Sequence, residues 1–305
     1  MAVSAASGAV EVTPASRVGS TLLGCWELLR WPQWLKNGFV FAPLLFAGEL
    51  RHARSVQLAW WAFVSFCMLA SSVYVMNDWF DRERDRRHPH KSRRPIASGA
   101  IPAQVAWGLA SALLAGALAV AATLTNAAVV ALELAFAGLN LAYSLHLKKV
   151  VILDAFVVAA GFVLRVWVGA YAVGVPASHW LILCTLMLAL FLALGKRHAE
   201  LAALDGESAN HRQVLASYSI DLITHMNLVA CAATVVCYAL YTVSPDTVAR
   251  FRTDRLVYSV PFVIYGLFRY LYLLERKGGG GSPSRLVLLD RPLLVCIALW
   301  ALYCL

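Results

Sequence analysis

Nine apolar stretches divide the chain from residue 21 onward, at roughly 21–48, 55–78, 101–124, 126–145, 150–174, 178–196, 219–243, 255–274 and 291–305. A helix that crosses a bilayer needs about 20 apolar residues, and most of these stretches meet that length. The last is short. The first is interrupted by Arg30-Trp31-Pro32-Gln33-Trp34-Leu35-Lys36-Asn37, where two indoles suit a membrane interface and Pro32 permits a bend. Only 14% of residues are charged and 60% are apolar, against roughly 25% and 45–50% in soluble domains. The expected fold is therefore an all-α integral membrane protein, a bundle of nine transmembrane helices. Residues 21–305 form a single domain on this reading. Residues 1–20 lack the charged start and long apolar run of a signal peptide and read as a disordered cytoplasmic tail. The Gly278–Gly281 run with Ser282-Pro283 is a flexible loop too short to separate a domain.

The net charge of +9 does not call for nucleic acid. Lys and Arg cluster on cytoplasmic loops of membrane proteins, and here they fall around residues 30–36, 82–94, 148–149, 196–212 and 276–291. That asymmetry places the N-terminus and these loops on the cytoplasmic side of the inner membrane and the C-terminus outside. The seven cysteines lie mostly in apolar stretches without a Cys-x-x-Cys pair, which suits small buried hydrophobes.

Directly after the second apolar stretch comes Asn77-Asp78-Trp79-Phe80-Asp81-Arg82-Glu83-Arg84-Asp85. On a helix, Asn77, Asp81 and Asp85 fall at i, i+4 and i+8 and share a face, with Asp78 close to it. Interleaved arginines would also suit an ordinary solvated face. Oxygen ligands grouped at a membrane mouth instead suit a hard cation such as Mg²⁺. Lys91, Arg93 and Arg94 follow, donors that phosphate oxygens favour. Carboxylates for a metal beside cations for phosphate make a diphosphate site.

Other polar residues stand at the same predicted face. Gln33, Lys36 and Asn37 lie on one side of the first helix and could hold a lipid phosphate, although a lone snorkelling Lys is routine. Tyr143, His146, Lys148, Lys149 and Asp154 form the next junction. Arg165 lies about three turns into its span, where it needs a partner or an aqueous cavity. Asp154 is too far along the helix to pair with it, so an acid of the second helix or a substrate phosphate is expected there. Lys196-Arg197-His198-Ala199-Glu200 closes the sixth span, where the helix dipole alone would attract cations. Tyr218 and Asp221 open the seventh span. Glu133 is expected to bond within the bundle, and cation–π contact and snorkelling account for Arg269 among Tyr265, Phe268, Tyr270 and Tyr272.

With nine helices and an Asn-x-x-x-Asp-x-x-x-Asp motif after the second, the chain resembles the UbiA prenyltransferase superfamily. Four segments resemble its decaprenyl-phosphate phosphoribosyltransferase branch. They are Arg30–Asn37, Asn77–Asp85, His88-Pro89-x-Lys91-x-x-Arg94-Pro95-Ile96-Ala97-Ser98-Gly99, and Gly195-Lys196-Arg197-His198-Ala199-Glu200-Leu201. The resemblance covers nearly all of the chain after residue 20. In one respect the sequence departs from the superfamily. Where aromatic prenyltransferases carry a second Asp-rich motif, this chain has Lys196, Arg197 and Glu200, with Asp205 and Glu207 beyond.

The resemblance implies Mg²⁺-dependent transfer of 5-phosphoribose from phosphoribosyl pyrophosphate to a polyprenyl phosphate, as in the supply of cell-wall arabinan precursors. It implies Asn77, Asp81 and Asp85 as metal ligands. Asp78, Asp81, Asp85, Arg165 and Lys196 would be catalytic. Gln33, Lys36, Asn37, Lys91, Arg94, Tyr143, Lys148, Arg165, Lys196, Arg197 and Glu200 would bind substrate. The partners are the two substrates and the lipid bilayer, and a homo-oligomer is compatible with this architecture. One rival is an aromatic prenyltransferase, which uses the same first motif but is disfavoured by the mixed second one. Another is a transporter or cation-binding membrane protein, whose paired broken helices are not apparent.

Overall fold

A computed structural model describes residues 24–87, 91–202, 217–276, 286–287 and 289–304. The tail at 1–20, His88, Pro89, His90, Asp205, Glu207 and the glycine run lie outside them. The described residues are helical, without strands. A 3₁₀ helix, Trp31–Phe41, continues into the short helix Ala42–Phe46 as a leading segment. The long helices are α1 (Ala53–Arg86), α2 (Ala103–Leu124), α3 (Ala127–Leu145), α4 (Leu153–Val173), α5 (His179–Ala202), α6 (Ile220–Val243), α7 (Val260–Arg276) and α8 (Arg291–Cys304). Among the described residues seven helices are long and apolar enough to cross a membrane, α7 counted with the turn from Arg255, while α8 is shorter. The leading segment adds a broken apolar element at the other end of the chain.

Length explains where the acidic motif sits. At 1.5 Å per residue, the 34 residues of α1 span about 51 Å, well beyond a hydrocarbon core of about 30 Å. The apolar part runs through Met76, and the acidic residues occupy the last turns as an overhang. Short connections, 125–126 between α2 and α3 and 146–152 between α3 and α4, and a longer one, 87–102, between α1 and α2, then fold the chain into packed neighbours. Asn126 opens α3 by accepting from the Val129 N–H at 3.1 Å, and its amide donates to the Tyr171 carbonyl at 2.8 Å. Ser219 caps α6 in the same way through the Leu222 N–H.

Two apolar clusters meet at α4. One joins Val40, Phe66, Leu69, Ala117, Val129, Phe136 and Val168. The other joins Ala155, Ala159, Phe191, Leu194, Ile223 and Tyr270. The leading segment packs against α1 and α4. Its Val40 carbonyl comes so close to Gly169 that a Cβ there would lie 1.9 Å from the oxygen. Only glycine permits that approach, which seats the leading segment against α4.

Two polar residues in the spans find partners. Glu133 is fully buried and accepts from Ser65 Oγ at 2.6 Å, so it does bond within the bundle. Arg269 stacks over Tyr272, but it also forms a two-point ion pair with Asp290 at 3.1 and 2.9 Å. Asp290 in turn accepts from the Leu293 N–H at the start of α8. Snorkelling alone therefore does not account for Arg269: the bond to Asp290 fixes the α7–α8 corner.

Candidate active site

The four oxygen-bearing residues at the end of α1 occupy one arc but face two ways. Asp78 and Asp85, seven residues apart, are both buried and turn toward the leading segment and the loop after α1. Arg94 Nη1 donates to Asp78 Oδ1 at 2.9 Å and to Asp85 Oδ2 at 2.7 Å, and Arg30 Nη2 donates to Asp78 at 2.5 Å. Asn77 and Asp81, four apart, turn toward α3. Asn77 Oδ1 accepts from Ser144 Oγ, and Asp81 takes Lys148 Nζ and Arg84 Nη2, each at 2.9 Å. Arg30 holds left-handed backbone angles (φ 50°, ψ 43°), uncommon for a non-glycine residue and typical of strain kept at a functional site.

Below this rim lies a cavity of about 380 Å³. Lys36, Arg165, Lys196 and Arg197 line it with Asn77, Asn140, Tyr74 and Tyr143, and its remaining walls are apolar, from Leu35 and Phe39 to Val157, Phe162 and Leu192. No carboxylate lines it among the described residues. Lys36 is within electrostatic reach of Lys196, Arg165 and Arg30. An apolar chamber that gathers four cations and faces no acid is arranged for an anion carrying an apolar arm. A more open cleft of about 540 Å³ lies beside it, lined by Arg30, Arg93 and Arg94 with Trp26, Trp31, Gln33 and Asp78.

Sequence spacing misplaced part of this. Gln33, Lys36 and Asn37 do not share a side. The segment winds as a 3₁₀ helix with three residues per turn, so Asn37 rotates away from the Gln33–Lys36 row. Gln33 borders the open cleft and Lys36 the cavity. Asn37 is buried, donating to Cys67 Sγ at 3.3 Å and accepting from Arg165 Nε at 2.9 Å. Arg165 accordingly pairs with no acid of α1. Its guanidinium bonds Asn37 and the Gly161 carbonyl and stacks on Phe66, Phe136 and Phe162. The reason is axial distance: Asp78 lies twelve residues beyond Phe66 on α1, about 18 Å along the helix.

At the end of α5, Arg197 is buried and committed to acids. Its Nε lies 3.1 Å from Asp154 Oδ2, and its Nη1 bonds Glu200. Lys196 Nζ lies 3.7 Å from the other Glu200 oxygen. Lys91 stands on a short 3₁₀ turn, Lys91–Arg93, outside the cavity lining. Three lining or rim residues had no role on sequence grounds. Asn140 was detectable as a lone amide inside an apolar stretch. Tyr74 and Arg30, which form a cation–π pair at 5.4 Å, gave no spacing signal.

The residues present suit Mg²⁺. Asp78 and Asp85 already converge on one positive nitrogen, and the donors are hard oxygens. Among the described residues no three His, Cys, Asp or Glu side chains are grouped so as to hold a metal ion by themselves. Mg²⁺ is ordinarily held by one or two carboxylates plus substrate phosphates rather than by an all-protein cage.

The profile of the UbiA prenyltransferase family matches residues 38–288. The chain belongs to the UbiA prenyltransferase family. Among relatives of this UbiA chain, the decaprenyl-phosphate phosphoribosyltransferase of Mycolicibacterium smegmatis is 35% identical over 287 residues, covering 91% of this chain and 90% of the relative. The enzyme of the same description from Corynebacterium glutamicum is 34% identical, covering 91% and 84%. A solved UbiA homolog from Archaeoglobus fulgidus bound to GPP and Mg²⁺ superposes with a TM-score of 0.72 at 20% identity, covering 92% of this chain and 98% of that one. The fold, with its seven long apolar helices, is thus that of a multi-pass membrane protein of the UbiA type.

Proposed function

We propose that this UbiA-family protein is a transferase that moves 5-phosphoribose from phosphoribosyl pyrophosphate to a polyprenyl phosphate and releases diphosphate. The observation that carries the reading is the cavity lined by Lys36, Arg165, Lys196 and Arg197 with no carboxylate among the described residues. A second acidic motif would repel a sugar phosphate; a cationic wall attracts one. The relatives from Mycolicibacterium smegmatis and Corynebacterium glutamicum, whose names state a phosphoribosyltransferase acting on decaprenyl phosphate, support the same donor and acceptor.

On this reading an oxygen of the lipid phosphate attacks the anomeric carbon of the ribose. The bond from that carbon to the diphosphate oxygen breaks, and diphosphate leaves with the electron pair. Lys36 orients the attacking phosphate from the leading segment, and the apolar walls take the first isoprene units. Lys196 holds the 5-phosphate, with Arg197 beside it. Arg165 adds positive potential at the cavity floor while Asn37 keeps its guanidinium in place. Tyr143 and Asn140 border the sugar. Lys91, Arg94 and Lys148 stand where the departing diphosphate collects negative charge. Asn77, Asp81 and Asp85, with Asp78, would hold Mg²⁺, which supplies charge neutralisation for the leaving group. A phosphate monoester is already anionic near neutral pH, so no strong general base is required, and the chain contributes positioning and electrostatics. The leading segment and α8 complete nine passes on this reading. The basic loops put the N-terminus and the active site on the cytoplasmic side of the inner membrane.

Purified protein given phosphoribosyl pyrophosphate, polyprenyl phosphate and Mg²⁺ should yield lipid-linked phosphoribose by mass spectrometry. A parallel reaction offers a prenyl diphosphate and an aromatic acceptor, the alternative that membership of the UbiA prenyltransferase family leaves open. Turnover in the second reaction with none in the first would sink the proposal.

A further inference from the structure

A buried chain of polar contacts reaches the cavity wall from the start of α6. The Tyr218 hydroxyl accepts from the Ile152 N–H at 2.6 Å and donates to Asp154 Oδ1 at 2.8 Å. The other Asp154 oxygen lies 3.1 Å from Arg197 Nε, a buried ion pair whose angles fall outside hydrogen-bond geometry. Arg197 continues to Glu200, whose second oxygen is 3.7 Å from Lys196 Nζ. Asp154, Arg197 and Tyr218 are 0%, 2% and 6% exposed, so the chain is shielded from water along most of its course. It ends on Lys196 and Arg197, two residues of the cavity lining. It begins at a strained point, since Ile152 carries φ 70°, a conformation that favours glycine.

We infer that Tyr218 is a positioning residue for the phosphate-binding end of α5. Its single proton goes to Asp154 and its lone pair takes the Ile152 amide, which fixes both the carboxylate and the turn that carries it. Asp154 so fixed holds Arg197 in one orientation, and Arg197 and Glu200 together set where Lys196 meets the ligand. A guanidinium buried beside two carboxylates has several ways to pair with them. The hydroxyl selects one by engaging Asp154 Oδ1 and leaving the other oxygen for Arg197. The inference rests on the proposed function only in naming the ligand, the 5-phosphate of the donor.

The test uses the full chain in detergent, wild type against Tyr218→Phe, which keeps the ring and its packing. Binding of ribose 5-phosphate and, separately, of inorganic diphosphate with Mg²⁺ is measured by calorimetry. Loss of one hydrogen bond's worth of positioning should weaken ribose 5-phosphate by about fivefold, with diphosphate binding unchanged because it rests on the α1 rim. A merely structural tyrosine would instead lower the melting temperature and weaken both ligands alike. A second variant separates the two bonds of the hydroxyl. Ile152→Gly added to Tyr218→Phe relaxes the turn; if holding that turn were the whole role, ribose 5-phosphate affinity would return, whereas it should stay low if Asp154 and Arg197 carry the effect. Unaltered ribose 5-phosphate binding in Tyr218→Phe, or its recovery in the double variant, overturns the inference. A wild type that binds no ribose 5-phosphate and forms no lipid-linked phosphoribose overturns the functional reading itself, a result that does not resemble either of those.

Discussion

At the end of α1, carboxylates draw in cations from distant parts of the chain; at the end of α5, cations draw in carboxylates. Asp78 takes Arg30 and Arg94, Asp85 takes Arg94, and Asp81 takes Lys148. Arg197 takes Asp154 and Glu200. The two ends are electrostatic inverses, and they differ in what remains toward the substrate. Carboxylates held by several partners at a helix overhang can exchange a side-chain cation for a metal with its diphosphate. The α5 end commits Arg197 inward and presents Lys196 to a cavity that no acid lines among the described residues. One end thus suits a metal-bound leaving group and the other a bare phosphate. If that assignment is right, changes at the two ends should damage different substrates.

The largest effect belongs to Asp81→Asn. The substitution keeps the shape and removes a charge that, on the proposed function, serves the metal, so turnover should fall by about 10²–10³-fold or more. The melting temperature should move little, because Asp81 is partly exposed, its partner Arg84 can turn to solvent, and the amide still accepts from Lys148. Single-turnover assays with and without excess Mg²⁺ would measure it. Full activity in this variant would remove the metal from the α1 end and end the comparison.

Next comes Lys196→Asp, which gives the α5 end the acidic character usual for aromatic prenyltransferases. Removing a charge-assisted phosphate contact and adding a repulsive charge should lower kcat/KM for phosphoribosyl pyrophosphate by about 100-fold, with KM for the lipid phosphate little changed. Equal loss toward both substrates would mean that the two ends do not divide the ligands.

Much of this division was legible in the sequence, because it depends on helical period and on polar residues inside apolar stretches. Asn77, Asp81 and Asp85 keep the four-residue step along α1, but Asp85 turns to Arg94 with Asp78 while Asn77 and Asp81 turn to Ser144 and Lys148; Lys36, Arg165 and Lys196 do converge on one cavity. The pairing was not legible. Arg30–Asp78 and Lys148–Asp81 join residues 48 and 67 apart, and Tyr218–Asp154 joins residues 64 apart. Local spacing carries no information about such contacts. The 3₁₀ winding of Trp31–Phe41 was hidden for another reason: an apolar segment of that length fits either helix, and only packing against α1 and α4 selects the tighter one. Asp290 went unnoticed because a single acid before a helix resembles an ordinary cap, and it does cap α8 while also pairing with Arg269.

Lys36→Gln probes the third party, the acceptor. The amide fills nearly the same space without the charge. Loss of one charge-assisted bond should raise KM for polyprenyl phosphate by about tenfold, with the donor KM moving less because Lys196 stands on another wall. A larger effect on the donor would assign Lys36 to the sugar phosphate and leave the lipid phosphate to the open cleft that holds Gln33 and Arg93.

The smallest effect tests whether distance isolates the site from the rest of the bundle. Asn126 caps α3 at the end away from Tyr143, and it ties α3 to the end of α4 through the Tyr171 carbonyl. Asn126→Ala removes both bonds and should lower stability by about 1 kcal/mol, seen as a modest drop in melting temperature in detergent. Neither KM should change, because the opposite ends of α3 and α4 are held independently: Ser144 bonds Asn77, and Tyr218 bonds Asp154 and the Ile152 amide. A shift in donor KM without one in acceptor KM would show that α4 transmits displacement along its length. The α5 end would then depend on the whole of α4, and not on the Tyr218–Asp154–Arg197 contacts alone.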